Sequence, residues 1–339
     1  MKFVYIALCL LPACASAAIV PTVMVGAHAN QDGNCDDITD VDDCEADFSA
    51  LEGDIGTLGI DSQYSKFDEF RYVSDLQIAV HDVENGRTPM ITWYPHKVDL
   101  TCASYYDIAH QVYDSLLEDQ AQALHDVGGP VLIRFAPAMD TDIHECAYSL
   151  EAQGDPEAEG AEFVAAWQHI VDKIHETAPN ALFIWSPNTH SFAANNGDPV
   201  TTWQYYYPGA AYVDWIGSQV YNQGTTKLSI ADNLSFQGWY DQASTMGKPL
   251  IFSETGAIGP DPQYPPCSNS TSAVPSPQSK WLYSIRANFS DTYPAMKAFV
   301  WFDVAAQNNI HCNNYTIRGD GADQFRSLLT RTYFQKKTP

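Results

Sequence analysis

Short apolar segments that alternate with segments of helical periodicity constrain the fold of this chain most strongly. Each is about four to eight residues long and bounded by turn-forming residues, as expected for parallel strands buried on both faces. The predicted strands are Val20–Gly26, Gln63–Phe67, Pro89–Trp93, Val131–Phe135, Ala181–Trp185, Val213–Val220, Pro249–Ser253 and Ala298–Phe302, of which the second is the weakest. The amphipathic segments between them include Ser104–Asp126, Glu162–Glu176 and Ala231–Met246.

Eight strands alternating with helices predict an α/β fold of the (β/α)8 TIM-barrel type. A doubly wound sheet is the alternative, but no Gly-x-Gly-x-x-Gly sequence follows any predicted strand. The Pro/Ser-rich stretch Gln263–Ser279 is interpreted as a surface loop, because apolar structure resumes directly after it. We therefore predict a single barrel domain over residues 18–339.

Residues 1–17 have the features of a secretory signal peptide. Lys2 precedes the apolar run Phe3–Leu11, and small residues at Ala15-Ser16-Ala17 form a cleavage site. The run is shorter than the roughly 20 residues needed to span a bilayer, and no later segment is long and apolar enough either. The chain is therefore predicted to be secreted and extracellular, with no membrane partner.

Six of the eight cysteines follow the predicted signal peptide, which suits disulfides formed in an oxidising compartment. Free thiols or a metal site are the alternative, but no Cys-x-x-Cys spacing supports them. Sequence alone cannot fix the connectivity. Our hypothesis pairs neighbours, because each bond would staple a loop locally: Cys35–Cys44, Cys102–Cys146 and Cys267–Cys312. Sequons suit a secretory glycoprotein and occur at Asn233, Asn269, Asn288 and Asn314.

The charge of the chain excludes some partners. A formal net charge of −25 and a pI near 4.4 argue against nucleic acid and anionic membranes as partners. They fit a protein that acts on neutral polymers. Aromatic residues make up 12% of the chain; they could stack on sugars or simply fill the core.

Polar and aromatic residues collect at the carboxyl ends of the predicted strands, where a barrel of this type carries its active site. They include Trp93, Arg134, Asp140, Trp185, Asn188, Tyr221, Glu254 and Trp301. Such a mixture suits sugar binding, with rings stacking on pyranose faces and polar groups contacting hydroxyls. Glu254 stands out, because a glutamate after a buried strand is either functional or ion-paired. Arg134 is a possible ion-pair partner, and Thr255-Gly256 predicts a tight exit that aims Glu254 into the mouth.

Three segments resemble glycoside hydrolase family 26: Lys248–Gly256, Ile184–Asn188, and Tyr206–Gly217 running on to Tyr221. The resemblance extends from the third to the eighth predicted strand. It implies a retaining (β/α)8 barrel that needs no metal or other cofactor. The family contains mainly endo-β-1,4-mannanases, with some mixed-linkage β-glucanases and β-1,3-xylanases. A polysaccharide, β-mannan or a related β-glycan, is the expected partner of a monomeric protein.

Matching positions assign roles by resemblance. Glu254 matches the nucleophile, Tyr221 the tyrosine that hydrogen-bonds it, and Arg134 the arginine that opens the strand-four motif. Trp185 and Trp301 match subsite aromatics, although ordinary barrel packing is an alternative, more serious for Trp185. The predicted substrate-binding residues are Arg134, Trp93, Trp185, Asn188, Tyr221 and Trp301.

The strand-four motif departs from the family in one essential residue. The family reads Arg-x-x-His-Glu-Met-Asn, or with Pro in place of His, and its Glu is the general acid/base. This chain has Ala138 in the place of that Glu, within a frame kept by Arg134, Pro137 and Met139. A retaining enzyme needs two carboxyl groups about 5–5.5 Å apart, and a positioned acid/base contributes about 10²–10⁴-fold to the rate.

Two hypotheses follow. One is a retaining β-glycanase with Glu254 as nucleophile and Asp140 as a substitute acid. Asp142, His144 and Glu145 are weaker candidates on the same loop. For all four, the alternative is that they belong to a solvated acidic loop with no role in catalysis. The other is a pseudoenzyme that binds β-glycan with little or no turnover. An inverting enzyme has no support in the sequence.

Overall fold

The computed structural model describes the chain in nine parts: residues 23–30, 41–69, 74–141, 146, 156–189, 202–222, 229–258, 277–304 and 315–335. Parallel strands close into an eight-stranded barrel, in which β1 pairs with both β2 and β8. The strands are β1 (Val23–Asn30), β2 (Ile60–Ser65), β3 (Thr88–Trp93), β4 (Val131–Phe135), β5 (Ala181–Trp185), β6 (Trp215–Asn222), β7 (Leu250–Ala257) and β8 (Met296–Val304). A short β9 (Phe334–Gln335) pairs with the start of β1. The predicted fold class is confirmed.

Helices surround the barrel. They are α1 (Val41–Ile55), α2 (Ser74–Glu84), α3 (Tyr105–Ala109), α4 (Asp114–Asp126), α5 (Pro156–His175), α6 (Leu234–Ala243), α7 (Pro277–Asn288) and α8 (Asp320–Leu329). The helical segment predicted at Ser104–Asp126 is divided, because Gln111 has a left-handed φ of 70° between α3 and α4. The helix predicted at Ala231–Met246 is shorter at both ends. Asn233 caps α6 by accepting a hydrogen bond from the backbone N–H of Phe236.

Alternation along the strands divides the core into two layers. Inside the barrel, one layer contains Ile60, Met90, Leu132, Ile184, Ile251 and Val300. Between barrel and helices, the other includes Val25, Ile91, Ile133, Phe183, Phe252 and Phe299. Successive side chains of a strand point to opposite faces. A residue near a strand end therefore faces either the mouth of the barrel or the helices, depending on its position in this alternation.

One predicted disulfide is present: Cys102 and Cys146 are bonded, with their Cα atoms 5.5 Å apart. It ties the loop after β3 to the loop after β4. Each of the other two predicted pairs includes a cysteine that lies outside the described residues. The predicted signal peptide and the sequons at Asn269 and Asn314 also lie outside them.

In the described part of the chain, no helix is long and apolar enough to span a membrane. No group of three or more metal-binding side chains occurs within those same ranges.

A buried acidic cluster joins β2 to the first two helices. The Arg87 guanidinium contacts Glu52 and Asp82, each at 3.0 Å. Asp61 is buried nearby and accepts a hydrogen bond of 2.8 Å from Gln63 Nε2. Burial raises the pKa of Asp82 to about 7, although Arg87 opposes the rise. Burial and the charge of Asp82 also raise the pKa of Asp61 well above its usual value.

This cluster predicts that the protein is more stable in mild acid. The pKa of Asp82 is about 7 in the folded chain and near 3.8 in a model compound, so the folded state binds the proton more tightly. That contribution is fully present below about pH 3.8, declines as the pH rises toward 7, and is gone above pH 7. We expect the free energy of unfolding to be about 2 kcal/mol higher at pH 5 than at pH 8. Urea denaturation at the two pH values measures it.

Asp82→Asn is the matched control, because the amide cannot ionise. Its unfolding free energy should depend less on pH over this interval, and the remaining dependence should come from Asp61, whose pKa burial still raises. A parent chain that is equally stable or more stable at pH 8 would contradict the assignment.

Candidate active site

A β-bulge directs Glu254 into the barrel. One extra residue, Ser253, interrupts the pairing of β7 with β6 between Phe252 and Glu254, and the pairing with β8 also has one extra residue of β7 between Phe252 and Thr255. In a regularly alternating strand, Glu254 would lie on the same face as Phe252, which packs against the helices. The strand continues to Ala257, so the tight exit predicted at Thr255-Gly256 is wrong, and the bulge supplies the change of direction instead. Bulges are common beside active sites because they re-aim a side chain in this way.

Four side chains donate hydrogen bonds to the Glu254 carboxylate. Oε2 accepts from Arg134 Nη1 at 2.8 Å, from the Tyr64 hydroxyl at 3.0 Å and from Gln219 Nε2 at 3.2 Å. Oε1 accepts from the Tyr221 hydroxyl. The donors come from three strands, β2, β4 and β6, so closure of the barrel assembles them. The contact expected between Tyr221 and Glu254 is present.

These contacts keep Glu254 ionised. Its side chain is 13% exposed. Burial by itself would raise its pKa, but the Arg134 charge and the hydrogen bonds from Tyr221, Arg134 and Tyr64 outweigh burial, and the pKa lies below its usual value. Burial and the charge of Glu254 raise the pKa values of Tyr64 and Tyr221 well above normal, so both hydroxyls remain protonated donors. The site therefore presents a carboxylate suited to nucleophilic attack, not a proton donor.

Arg134 lies beneath the carboxylate and not at the surface of the mouth. It is fully buried. Besides Glu254 it donates from Nε to Ser186 Oγ at 3.3 Å and from Nη1 to Thr92 Oγ1 at 3.5 Å. Ser186 Oγ in turn lies 2.8 Å from Ser253 Oγ. Arg134 is thus the ion-pair partner considered in the sequence, and its burial does not fit the predicted contact with substrate.

The three predicted tryptophans do not line the mouth. Each has no exposed surface. The rings pack outside the barrel: Trp93 stacks on Phe67 at 5.2 Å, Trp185 contacts Tyr207 at 5.0 Å and Trp301 contacts Phe325 of α8 at 6.2 Å. Each indole N–H donates to a backbone carbonyl. The prediction that they stack on substrate is wrong for this conformation, because strand alternation turns them toward the helices.

A different set of rings surrounds Glu254. Tyr64, Tyr94, Tyr221 and Phe302 are all partly exposed. Tyr64 and Tyr94 stack with centroids 5.7 Å apart, and Tyr221 meets Phe302 edge-on at 6.2 Å. Gly256 makes room for this wall, since a Cβ there would lie 3.1 Å from the Tyr221 ring. A sequence signal could have found three of these residues. Gln219 lies two residues before Tyr221 and so shares its face of the strand, while Tyr64 and Tyr94 share the face of Thr92, which pairs with Arg134.

The segment after β4 has an unusual backbone. Ala136 and Ala138 both adopt left-handed conformations, with φ of 43° and 54°. Ala138 is fully buried, and its N–H donates to the Ser186 carbonyl at 2.8 Å. Non-glycine residues with positive φ are uncommon and cluster at functional sites. Ala138, where the sequence resemblance predicts the acid, therefore carries an enclosed methyl group.

Asp140, the predicted substitute acid, is also buried. Its Oδ1 accepts a hydrogen bond of 2.9 Å from the backbone N–H of Asn188, which ties the loop after β4 to the end of β5. The structure thus brings Asp140 and Asn188 together at this rim, and the use of Asp140 as an acid stays a prediction. Asp142, His144 and Glu145 lie outside the described residues.

Comparison with known proteins agrees with this geometry. Residues 87–268, more than half of the chain, match the model of the family described as Glycosyl hydrolase family 26. Over 239 residues the chain is 23% identical to Endoglucanase H of Acetivibrio thermocellus. That alignment covers 69% of this chain and 23% of the relative, so this chain spans about a quarter of the relative's length.

Solved structures of similar fold include several β-mannanases. The catalytic domain of a Bacillus sp. JAMB-750 family 26 endo-β-1,4-mannanase superposes with a TM-score of 0.60 at 15% identity, over 93% of this chain and 87% of that chain. A family 26 β-mannanase from Bacteroides ovatus gives 0.59 at 13% identity, over 94% and 92%. A modular endo-β-1,4-mannanase from Cellulomonas fimi gives 0.61 at 16% identity, over 93% and 72%. At these identities the likeness establishes the fold.

Proposed function

This chain belongs to glycosyl hydrolase family 26, and from that membership we propose that it is a secreted protein that binds β-mannan and carries Glu254 as the nucleophile of a retaining β-glycanase reaction. One observation carries the proposal: an ionised carboxylate at the barrel mouth is held by four donors from three strands. The family membership and the mannanase structures of the same fold support mannan as the first substrate to test.

The geometry suits the first half of a retaining reaction. A Glu254 oxygen attacks the anomeric carbon, the bond to the leaving oxygen breaks, and a covalent glycosyl ester forms. Tyr221 and Arg134 hold the carboxylate in place during the attack. The leaving oxygen of a natural glycan also needs a proton, and Ala138 cannot supply one. A leaving group of low pKa, such as dinitrophenolate, departs without protonation.

A pseudoenzyme that binds β-glycan is the second candidate. Two observations favour it: Ala138 is enclosed by protein, and an oxygen of Asp140 bonds the backbone of Asn188. On this view the fold and the aromatic wall bind the glycan, but no second carboxyl group completes the reaction. The two candidates share Glu254 and differ in whether an acid reaches the leaving oxygen.

One pair of measurements separates them. The first is reducing-end release from β-mannan, mixed-linkage glucan and xylan. The second is the mass of the intact protein after incubation with a dinitrophenyl 2-deoxy-2-fluoro-β-mannoside, followed by mapping of the labelled peptide. Release together with labelling at Glu254 supports a glycanase with a substitute acid. Labelling without release supports the second candidate. A protein that neither becomes labelled nor binds mannan would overturn the proposal.

A further inference from the structure

The two oxygens of Glu254 differ in how many donors they meet. Oε2 accepts from Arg134, Tyr64 and Gln219, whereas Oε1 accepts from Tyr221. An ionised carboxylate offers about two lone-pair sites on each oxygen. Three donors therefore use the full acceptor capacity of Oε2. Oε1 keeps a lone pair for an electrophile.

Tyr64 is held rigidly against Oε2. Its ring stacks on Tyr94 with an interplanar angle of 18°. On another side it meets the His28 ring edge-on at 4.6 Å. The His28 ring is itself fixed, since Nδ1 lies 2.7 Å from the Ser62 carbonyl and the ring stacks on Phe302 at 5.6 Å. These contacts restrict the rotation of the Tyr64 side chain, so its hydroxyl is presented to Glu254 with little freedom.

We propose that Tyr64 is a positioning residue that fixes Oε2 of Glu254 and thereby makes Oε1 the attacking oxygen. The inference rests on the proposed role of Glu254 as nucleophile. Tyr64 acts from β2, on which the sequence singled out no site residue. It works together with Gln219, which donates to the same oxygen.

Loss of the Tyr64 hydroxyl has two consequences. The charged form of Glu254 loses a donor, so its pKa should rise, because hydrogen bonds to a carboxylate stabilise the ionised form. Oε2 also keeps only Arg134 and Gln219 as donors, so the carboxylate is held less firmly and fewer Glu254 conformers present Oε1 to the anomeric carbon. The first effect is measurable without any reaction, and the second requires one.

The experiment compares Tyr64→Phe with Tyr333→Phe. The Tyr333 hydroxyl donates to the Phe289 carbonyl at 3.0 Å, and the Tyr333 carbonyl accepts from Val23 at the start of β1, so this control loses one hydroxyl contact far from the mouth. The pKa of Glu254 is read from its carboxyl carbon by NMR titration, with Glu254→Gln to assign the signal. In Tyr64→Phe it should rise by roughly one unit. The maximal rate of labelling by the fluoro-mannoside should fall about tenfold with little change in the half-saturating concentration.

The control should leave both quantities unchanged. An unchanged Glu254 pKa in Tyr64→Phe overturns the inference, whatever the labelling shows. If the parent chain is never labelled, the proposed function fails, but the titration still tests whether Tyr64 acts on Glu254. If Tyr64→Phe does not fold, difluorotyrosine at position 64 keeps the ring and supplies a stronger donor. It should lower the Glu254 pKa, and an unchanged value would overturn the inference equally.

Discussion

Glu254→Gln is expected to abolish covalent labelling by the activated fluoro-mannoside, lowering its rate by about 10⁴-fold or more. The amide keeps the size and shape of the carboxylate but has no anionic oxygen with which to attack. In the parent chain both carboxylate oxygens accept hydrogen bonds, Oε2 from Arg134 and Oε1 from Tyr221. The NH2 group of the glutamine replaces one of these oxygens and so faces a donor. The Tyr221 hydroxyl can rotate to accept from that NH2, and the amide oxygen can still accept from Arg134. The variant should therefore fold, with lower stability because the buried Arg134 guanidinium loses its counter-charge.

Glu84→Gln is the matched control, because Glu84 is an exposed glutamate at the end of α2. It should label at the parental rate. If Glu254→Gln is labelled as fast as the parent chain, another residue is the nucleophile. If labelling moves to a different peptide, mapping of that peptide identifies it.

Arg134→Met is expected to be among the most destabilising single substitutions in the chain. It leaves Glu254 as an uncompensated buried carboxylate, which typically costs about 3–5 kcal/mol. Without Arg134 the pKa of Glu254 should rise, because the guanidinium charge is the largest influence that opposes burial. The lost stability should therefore return as the pH falls through that raised pKa. In the parent chain the sign is opposite: the Glu254 pKa is lowered, so its contribution is present at neutral pH and is lost in acid.

The double variant Arg134→Met with Glu254→Gln isolates the charge. If the loss comes from the unpaired carboxylate, the second substitution should restore most of the unfolding free energy, and the double-mutant cycle should give a strongly non-additive coupling. Urea denaturation of the four proteins at pH 7 and pH 5 measures this. Additive losses would show instead that Arg134 stabilises the barrel through its contacts with Ser186 and Thr92.

The fold was more accessible from the sequence than the site. The bounds predicted for β4 and β5 match the structure to the residue, because both are nearly pure apolar runs between turn residues. Strand β2 was the weakest prediction for a physical reason. It has the sequence Ile-Asp-Ser-Gln-Tyr-Ser, which is polar on both faces and lacks the apolar run of a buried strand. Tyr64 points inward to Glu254, while Asp61 and Gln63 hydrogen-bond each other on the outer face.

Two features of the site depended on pairing between strands. The tryptophans were assigned to the mouth from their place at strand ends, but alternation relative to Arg134 turns Trp93 outward, since Thr92 pairs with Arg134 and Trp93 with Phe135. The bulge at Ser253 reverses the same rule for Glu254. A bulge is an extra residue in one strand relative to its partner strand. It therefore cannot be recognised from the sequence of one strand without knowing how that strand pairs.

The donor cluster around Glu254 also bears on the descent of this chain. Buried ion pairs are often replaceable by apolar side chains with no loss, or with a gain of about 1–4 kcal/mol. A lineage with no use for the carboxylate could therefore lose Glu254 and Arg134 together, although losing either one alone would leave a buried charge unpaired. The cluster is complete even though Ala138 stands where the sequence resemblance predicts the acid. We expect that purifying selection maintains it, and that relatives sharing this alanine keep all of its members together.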